Sequence, residues 1–383
     1  MHGYTPVKQK NGSVELLRFL FTTIIIFFHI NLDLWDQKKV IAVIKGVPVT
    51  FFNHGNTGVE FFFLVTGWLM ARSIYTRYIQ GEKASEPLAS SPGSGKELFW
   101  ETMHFVSRKA QAVLPVYLTA CVLTPVVRLM TDRVLNLEYF LYRLPSLFFL
   151  QRIGLGKPFI GCTWYLSSML LALAVVYPLC RRFYRQFTLF AAPVLCAALL
   201  GAIIFLTGSL GDIDDWFLFT YKTNIRAFAE ISMGTTAFEI SRRMKDRVYT
   251  TGSRVLLSAV ALICLLLSIA YMCSAMDGKT GLVVFYLLFI AVVIAFSGEG
   301  FLCHVGIFSS PVLIYLGKIS LPMYVTQTLL RRSIPWYFSR CSQWTQCLLI
   351  YLGVFIFSAF LLAALDSLHR HPVLQARRVL RFR

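Results

Sequence analysis

The stretch LLRFLFTTIIIFFHINL, residues 16–32, decides the class of fold. From Phe19 to Ile30 every residue is apolar or carries only a hydroxyl group, with the single exception of His29. Similar apolar blocks recur along the chain, and a helix needs about 20 such residues to cross a bilayer. The blocks are continuous and do not alternate with polar residues, which is untypical of a transmembrane barrel. The sequence therefore predicts an all-α protein, a polytopic membrane helical bundle.

The composition agrees with this class. Of the 383 residues, 56 % are hydrophobic and 15 % are charged, whereas a soluble domain carries about 25 % charged residues. We interpret the chain as one membrane-embedded domain, 1–383, with a core at 10–365 and a basic cytoplasmic tail at 366–383. Ten transmembrane helices are predicted, at 14–31, 57–75, 110–130, 163–181, 189–207, 225–241, 254–273, 280–297, 311–331 and 345–365.

Three further segments are interpreted by length and composition. The apolar stretch 139–150 is too short to span a membrane and contains Pro145, so we expect it at the outer interface or as a re-entrant piece. Residues 80–97 are rich in Gly, Ser and Pro and predict a mobile cytoplasmic loop. The N-terminus does not resemble a cleaved signal peptide, so the first helix is expected to stay as an anchor.

The net charge of +18 raises the question of a nucleic-acid partner. Basic residues, however, concentrate in alternate loops such as RRFYRQ (181–186) and SRRMKDR (241–247). This asymmetry follows the positive-inside rule and predicts that both termini are cytoplasmic. We therefore expect the basic tail to meet membrane lipid and no nucleic acid to be bound. The nine cysteines lack the spacing of a zinc site, so no metal is expected.

Arg18 and His29 are the first candidate pair for chemistry. They are 11 residues apart, which is close to three helical turns, so both lie on one face and about 16 Å apart along the axis. An ionisable side chain within a membrane span is a functional candidate, and histidine can take and return a proton near neutral pH. The alternative is a neutral histidine that only forms a hydrogen bond between helices.

Basic residues near the predicted cytoplasmic surface form a second group. Arg72 ends the second span, where it is either a positive-inside anchor or a further clamp on an anionic ligand. Arg108 and Lys109 begin the third span, ahead of Pro115, which is expected to kink that helix.

The remaining candidates lie deeper or towards the outer side. Trp164 and Tyr165 are typical of an interfacial aromatic belt, and Ser167 adds a hydroxyl just below them. Arg226 and Glu230 are spaced to pair on one helix face. Further polar residues are Glu60 at the outer end of the second span, and Tyr324 and Gln327 one turn apart in the ninth.

Taken in order, five motifs resemble the acyltransferase-3 family of bacterial integral-membrane acyltransferases. The resemblance covers about residues 10 to 365. Its motifs are the Arg18–His29 spacing, FFFLVTGWLMAR (61–72), RKAQAVLPVY (108–117), TWYLSS (163–168) with Tyr177 and Pro178, and GKISLPMY (317–324). The chain departs from the family pattern at Thr66, where serine is usual, at Ala112, often basic, at Met169, often glutamate, and at Gln327, often histidine.

The resemblance implies a bacterial cytoplasmic-membrane enzyme that moves an acyl group, usually acetyl from acetyl-CoA, to a sugar hydroxyl of a surface polysaccharide. On that reading Arg18 binds the donor phosphates, with Arg72, Arg108 and Lys109 as further candidates. His29 is the expected general base or acyl carrier.

The remaining candidates are expected to act on the acceptor. Tyr324, Gln327 and Ser167 are expected to contact the oxyanion or the sugar. An acceptor polysaccharide or lipid-linked glycan, arriving from outside, would meet Glu60, Trp164, Tyr165, Trp216 and the acidic loop 212–215.

Two other classes of protein share the same apolar pattern. A transporter or flippase of lipid-linked glycans would often show internal repeats or paired broken helices, and neither is evident in the sequence. A sensor or scaffold without catalysis would tolerate the loss of the His29 imidazole. The acceptor, the acyl chain, the oligomeric state and the exact role of His29 stay open at this level.

Overall fold

The computed structural model describes residues 12–37, 39–79, 94–132, 136–300 and 310–370. The predicted all-α polytopic membrane bundle is confirmed. Two small antiparallel hairpins join it, β1–β2 (Val40–Ile44, Val47–Thr50) and β3–β4 (Trp216–Phe217, Thr220–Tyr221). The described chain has ten long helices: α1 (Gly12–Trp35), α2 (Gly58–Ile74), α3 (Gly95–Asp132), α4 (Trp164–Arg182), α5 (Ala192–Thr207), α6 (Lys222–Lys245), α7 (Thr251–Met272), α8 (Gly281–Ser297), α9 (Pro311–Tyr337) and α10 (Gln343–Arg370).

Short helical pieces connect these helices. The apolar segment 139–150 is built from the short helix Leu137–Leu141 and a 3-10 turn, so it does not form a span, as predicted. One π-helical turn, Tyr75–Ile79, extends α2, and another, Phe187–Ala191, leads into α5. The other pieces are the short helix Tyr184–Gln186 and 3-10 turns at Gly55–Thr57, Leu144–Phe148, Gln151–Ile153, Gly161–Thr163 and Gly278–Thr280.

The ten long helices correspond to the ten predicted spans, but they are of two kinds. Seven are long and apolar enough to cross a membrane by length and composition alone: α1, α3, α4, α5, α7, α8 and α10. The most apolar stretches of α5, α7 and α10 are only 22 % buried inside the protein, so most of their surface faces outward, as contact with lipid requires. By contrast α2, α6 and α9 are shorter or more polar and bury most of their central residues.

The third helix differs most from its predicted bounds. Hydropathy places the span at 110–130, whereas α3 begins at Gly95 and continues through Pro115 and Pro125. Helix formation does not stop where the apolar residues do, and the added turns carry polar residues beyond the apolar block. Arg108 and Lys109 consequently lie in the middle of a long helix and not at its start.

Helices α2 and α6 are in backbone contact at two glycines. A Cβ atom on Gly67 would lie 1.9 Å from the carbonyl oxygen of Ile231, and one on Gly234 would lie 2.3 Å from that of Leu64. This close approach is the small-residue packing that helices in membranes favour.

Replacing Gly67 by alanine should destabilise the bundle. The new methyl group overlaps backbone atoms that cannot rotate away, so we expect a loss of at least about 1–3 kcal/mol, as for other overpacked cores. The measurement is the thermal midpoint of the purified protein in detergent. Gly201→Ala is the matched control, because Gly201 lies in α5 and a Cβ atom on it would have no neighbouring atom within 4 Å; equal midpoints for the two variants would contradict the prediction.

Polar contacts join the C-terminal ends of α1, α3 and α9 at one end of the bundle. Arg331 of α9 forms an ion pair with Asp33 of α1, and Arg332 Nε donates to Thr131 Oγ1 of α3 at 3.2 Å. The charge pattern predicts that this end is outside, and that topology stays a prediction. Residues 80–93 of the expected mobile loop, residues 371–383 of the basic tail and the N-terminal residues 1–11 lie outside the described part of the chain.

Candidate active site

Two polar pairs join α1 to α9 in matching register. His29 Nδ1 lies 3.1 Å from Gln327 Oε1, and Asp33 accepts two hydrogen bonds of 2.7 Å from Arg331. Asp33 and Arg331 are each one helical turn beyond His29 and Gln327, so the two helices run parallel with their polar sides facing each other. The deep histidine predicted from the sequence is therefore held between helices, and an ion pair lies next to it.

The hydrogen bonds of Gln327 determine which nitrogen of His29 is free. Gln327 is fully buried, and its Nε2 donates to the carbonyl oxygen of Tyr324 at 2.8 Å. That bond leaves Oε1, an acceptor, facing Nδ1 of His29, so Nδ1 must carry the proton. The unprotonated Nε2 is then available as a base or a nucleophile.

A cavity of about 220 Å³ opens beside the lower half of α1. Arg18 and Lys109 line one end, and Tyr165 and Tyr324 line the other. It thus brings together two of the predicted donor-binding cations and two of the predicted substrate-binding tyrosines. The rest of the lining is mostly apolar: Thr22, Val59, Phe62, Val65, Thr66, Leu69, Ala112, Val113, Leu166, Met169, Ser320 and Leu321.

The cationic end of this cavity has an excess of positive charge. Arg18 Nη1 donates to Glu15 Oε2 at 3.0 Å, and the Glu15 side chain packs against Gly317 of α9. The ammonium of Lys109 lies 5.3 Å from the ring centre of Phe105 and within electrostatic reach of Arg18. The described residues place no carboxylate within ion-pair distance of Lys109, so this end of the cavity suits an anion.

His29 is half-buried and is not among the residues that line this cavity. Thr22, which does line it, is seven residues before His29 on the same face, or about 10 Å along the helix axis. Between them lies Tyr324, whose hydroxyl donates to the carbonyl oxygen of Cys162. The hydroxyl of Tyr165 lies 3.4 Å from Thr66 Oγ1. The ring centres of the two tyrosines are 6.0 Å apart, so they form one group in the cavity lining.

The other predicted donor-binding residues lie away from this cavity. The guanidinium of Arg72 is 5.5 Å from the ring centre of Trp68 on its own helix. Arg108 is exposed. Neither side chain lines the cavity, although Arg108 is the neighbour of Lys109 at its edge.

The predicted acceptor-binding residues are also dispersed. Ser167 is fully buried, and its hydroxyl donates to the carbonyl oxygen of Phe149 at 2.5 Å and accepts from the backbone N–H of Arg152. It thereby anchors the segment that contains 139–150. Trp164 is buried against Phe63, at a ring separation of 6.3 Å.

The acidic loop and Trp216 belong to the β3–β4 hairpin region. Arg152 binds Asp214 at 2.9 Å, and Lys222 binds Asp215 at 3.1 Å, so the loop's negative charge is largely balanced by cations. Trp216 is exposed and its indole N–H donates to the carbonyl oxygen of Leu218. The described structure places neither the loop nor Trp216 at the lining of the cavity beside α1.

Glu60 belongs to a buried ionic triad. Arg226 donates to Glu230 at 2.7 Å, as the spacing predicted, and to Glu60 of α2 at 3.3 Å; its third bond goes to the carbonyl oxygen of Leu210 at 2.9 Å. All three charged residues are almost wholly buried. Sequence spacing indicated the pair within α6 but not Glu60, because that contact crosses between helices.

Asp33 and Arg331 were not predicted from the sequence, and neither was the contact of Cys162 with Tyr324. Asp33 and Arg331 were detectable in principle, since they follow His29 and Gln327 at the spacing of one helical turn. Cys162 was not, because its contact with Tyr324 joins residues 162 positions apart.

The long apolar helices define a multi-pass membrane protein, and polar side chains that include His29 and Gln327 lie between its helices. A family model described as an acyltransferase domain matches residues 11–365, nearly the whole chain. The protein belongs to this membrane acyltransferase family, and the resemblance drawn from the five motifs is confirmed. No curated protein and no solved structure matches the chain.

Proposed function

We propose that the protein transfers an acyl group, most often acetyl, from acyl-CoA to a hydroxyl of a cell-surface or exopolysaccharide sugar in the bacterial cytoplasmic membrane. One observation supports the proposal: a histidine between the helices of an acyltransferase-family chain has its Nδ1–H directed at Gln327 Oε1, and no described residue bonds to its Nε2. An imidazole in that state can accept a proton from a hydroxyl group or attack a thioester.

The cavity beside α1 supports a role in binding the donor. Its cationic end, with Arg18 and Lys109, matches the phosphates of CoA, and its apolar remainder matches the pantetheine arm. The nucleotide is too large for about 220 Å³, so it stays at the mouth, where the exposed Arg108 can reach it. Arg72 remains a candidate only outside this cavity.

The chemistry at His29 can follow either of two routes. In the first, the sugar hydroxyl attacks the thioester carbon while its proton passes to Nε2; the C–S bond then breaks and the imidazolium returns the proton to the CoA thiolate. In the second, Nε2 attacks the thioester carbon, the C–S bond breaks and the CoA thiolate leaves; the sugar hydroxyl then attacks the acyl carbon, the C–N bond breaks, and the hydroxyl proton passes to the thiolate. Both routes need the same tautomer, which Gln327 fixes as a positioning residue.

The thioester must pass Tyr165 and Tyr324 to reach His29. In the described structure, the hydroxyl of Tyr165 bonds to Thr66, and the hydroxyl of Tyr324 bonds to the carbonyl of Cys162. We propose that the entering pantetheine arm displaces these rings. A hydroxyl released in this way is a donor available to the oxyanion of the tetrahedral intermediate.

The direct test supplies membranes that contain the protein with radiolabelled acetyl-CoA and surface glycan. We expect label in the glycan, released by mild alkali as an ester is. Glycan movement across the membrane without any labelled product would overturn the proposal and favour a transporter.

Replacing Lys109 by glutamine should weaken donor binding selectively. Loss of one charge-assisted hydrogen bond to phosphate is expected to raise KM for acetyl-CoA about 10-fold, with kcat nearly unchanged. Acetyl-pantetheine lacks the nucleotide phosphates, so its KM should not change. Lys96→Gln is the control, since Lys96 is an exposed lysine near the start of the same helix; an equal effect on both donors would show that Lys109 acts through structure and not through phosphate.

A further inference from the structure

A second cavity, of about 210 Å³, lies further along α9 towards the predicted outer end. Ser320, Leu321 and Tyr324 of α9 line the donor cavity, whereas Thr328 and Arg332, together with Leu329, line this second one. Gln327, which bonds to His29, lies on α9 between the residues that line the donor cavity and those that line the second cavity. Cys162 joins them, because its Sγ lies 3.4 Å from the carbonyl oxygen of Tyr324 and 3.7 Å from the hydroxyl of Thr328.

Among the described residues, the lining of the second cavity contains three guanidinium groups and no carboxylate. Arg128 and Arg143 lie 4.4 Å and 4.0 Å from the ring centre of Tyr139, and Arg143 also donates to the backbone carbonyl of Tyr139 at 3.2 Å. Arg332 is held by Thr131 at 3.2 Å. The guanidinium groups are thus positioned around one space, and their planar donor pattern matches the oxygens of a phosphate.

The surface next to this cavity is apolar. Val126, Leu129 and Met130 of α3 are exposed on either side of Arg128. Leu137 and Leu141 are exposed on either side of Tyr139. A ligand with its phosphate among the arginines can therefore keep a hydrocarbon chain on this apolar surface, in the membrane.

We propose that the second cavity binds the phosphate of a lipid-linked sugar, and that the sugar is the acyl acceptor. This inference rests on the proposed function for its second half. Arg332 is five residues beyond Gln327, or about 7.5 Å along the axis of α9, so a sugar attached to the bound phosphate extends to the level of His29. The lipid phosphate then positions the acceptor hydroxyl, while the donor enters from the opposite cavity.

Binding is tested first, with purified protein in a neutral detergent and native mass spectrometry. The probes are a polyprenyl phosphosugar, the same sugar linked to polyprenol without phosphate, phosphatidylglycerol and inorganic phosphate. We expect the phosphosugar to bind at least about 10-fold more tightly than the neutral lipid, as charge-assisted hydrogen bonds imply. The double variant Arg143→Gln, Arg332→Gln should lose this preference.

The matched control is Arg340→Gln, because Arg340 is an exposed arginine just after α9 and does not line the cavity. It should keep the wild-type preference. Equal affinity of wild type for the two polyprenyl ligands would overturn the proposal. Displacement of the phosphosugar by phosphatidylglycerol at equal concentration would also overturn it, since the cavity would then be a general headgroup site.

Activity measurements with two acceptors distinguish a failure of this inference from a failure of the proposed function. With the phosphosugar as acceptor, the double variant should show a kcat/KM reduced at least about 10-fold, while KM for acetyl-CoA and transfer to a water-soluble methyl glycoside of the same sugar are unchanged. A parallel loss with the glycoside would refute a phosphate-specific role. If wild type acylates neither acceptor, the proposed function fails, and the binding preference alone then decides whether the phosphate site exists.

Discussion

A His29→Ala variant is expected to retain its fold and lose acyl transfer. The substitution removes the nitrogen that either route requires, and general acid–base catalysis alone is worth about 10²- to 10⁴-fold in rate. Leaving Gln327 Oε1 without its partner costs only about 1–3 kcal/mol, which a bundle of ten helices tolerates. The measurement is label transfer from acetyl-CoA, normalised to the amount of protein in the membrane.

Two further variants make this result specific. His29→Asn keeps a side chain that can bond to Gln327 but has no base, so it should be equally inactive. Thr23→Ala removes a different polar contact of α1, the 3.2 Å bond between Thr23 and Tyr351, and should be close to wild type. Normal transfer by His29→Asn would exclude His29 from the chemistry and favour a scaffold.

The second large effect concerns stability. Arg226→Gln removes the only cation that the described structure places in contact with Glu60 and Glu230, and leaves two buried carboxylates facing each other. Breaking a buried ion pair from one side costs about 3–5 kcal/mol. We expect a strong fall in the yield of monodisperse protein and in its thermal midpoint, whatever the catalytic state of His29.

Neutralising the partners should reverse part of that loss. In the triple variant with Glu60→Gln and Glu230→Gln the triad carries no charge, and amides can replace its ionic contacts by neutral hydrogen bonds. Arg254→Gln serves as the control, because its ion pair with Glu299, at 3.6 Å, is partly exposed and such pairs are worth about 1 kcal/mol or less. A triple variant no more stable than Arg226→Gln would show that the arginine acts by shape and not by charge.

Hydropathy was sufficient to predict which segments form the long helices, but not where each of these helices begins and ends. The apolar blocks predicted ten helices, and seven of the ten described helices are long and apolar enough to cross a membrane by length and composition alone. The first turns of α3, before residue 110, were missed because hydropathy detects contact with lipid and not helix formation. The Arg226–Glu230 pair was visible as a helical spacing, whereas Glu60 reaches Arg226 through the packing of α2 against α6.

In the candidate site too, the sequence predicted relations within one helix but not contacts between helices. Spacing placed Arg18 and His29 on one face of α1, and it placed Tyr324 and Gln327 one turn apart in α9. Residue spacing within a helix does not show how that helix is rotated relative to its neighbours. For this reason Lys109 reaches the cavity whereas Arg72 stacks on Trp68, and Ser167, although close in sequence to Tyr165, points to the backbone of Phe149.

The layer of Tyr324, Gln327 and Cys162, buried between the two cavities, has a consequence for the energy supply of the cell. Under the proposed function, donor and acceptor would meet across this layer from opposite sides. Packed side chains oppose the passage of water and ions, so acyl transfer there would not need an open pore that dissipates a proton gradient.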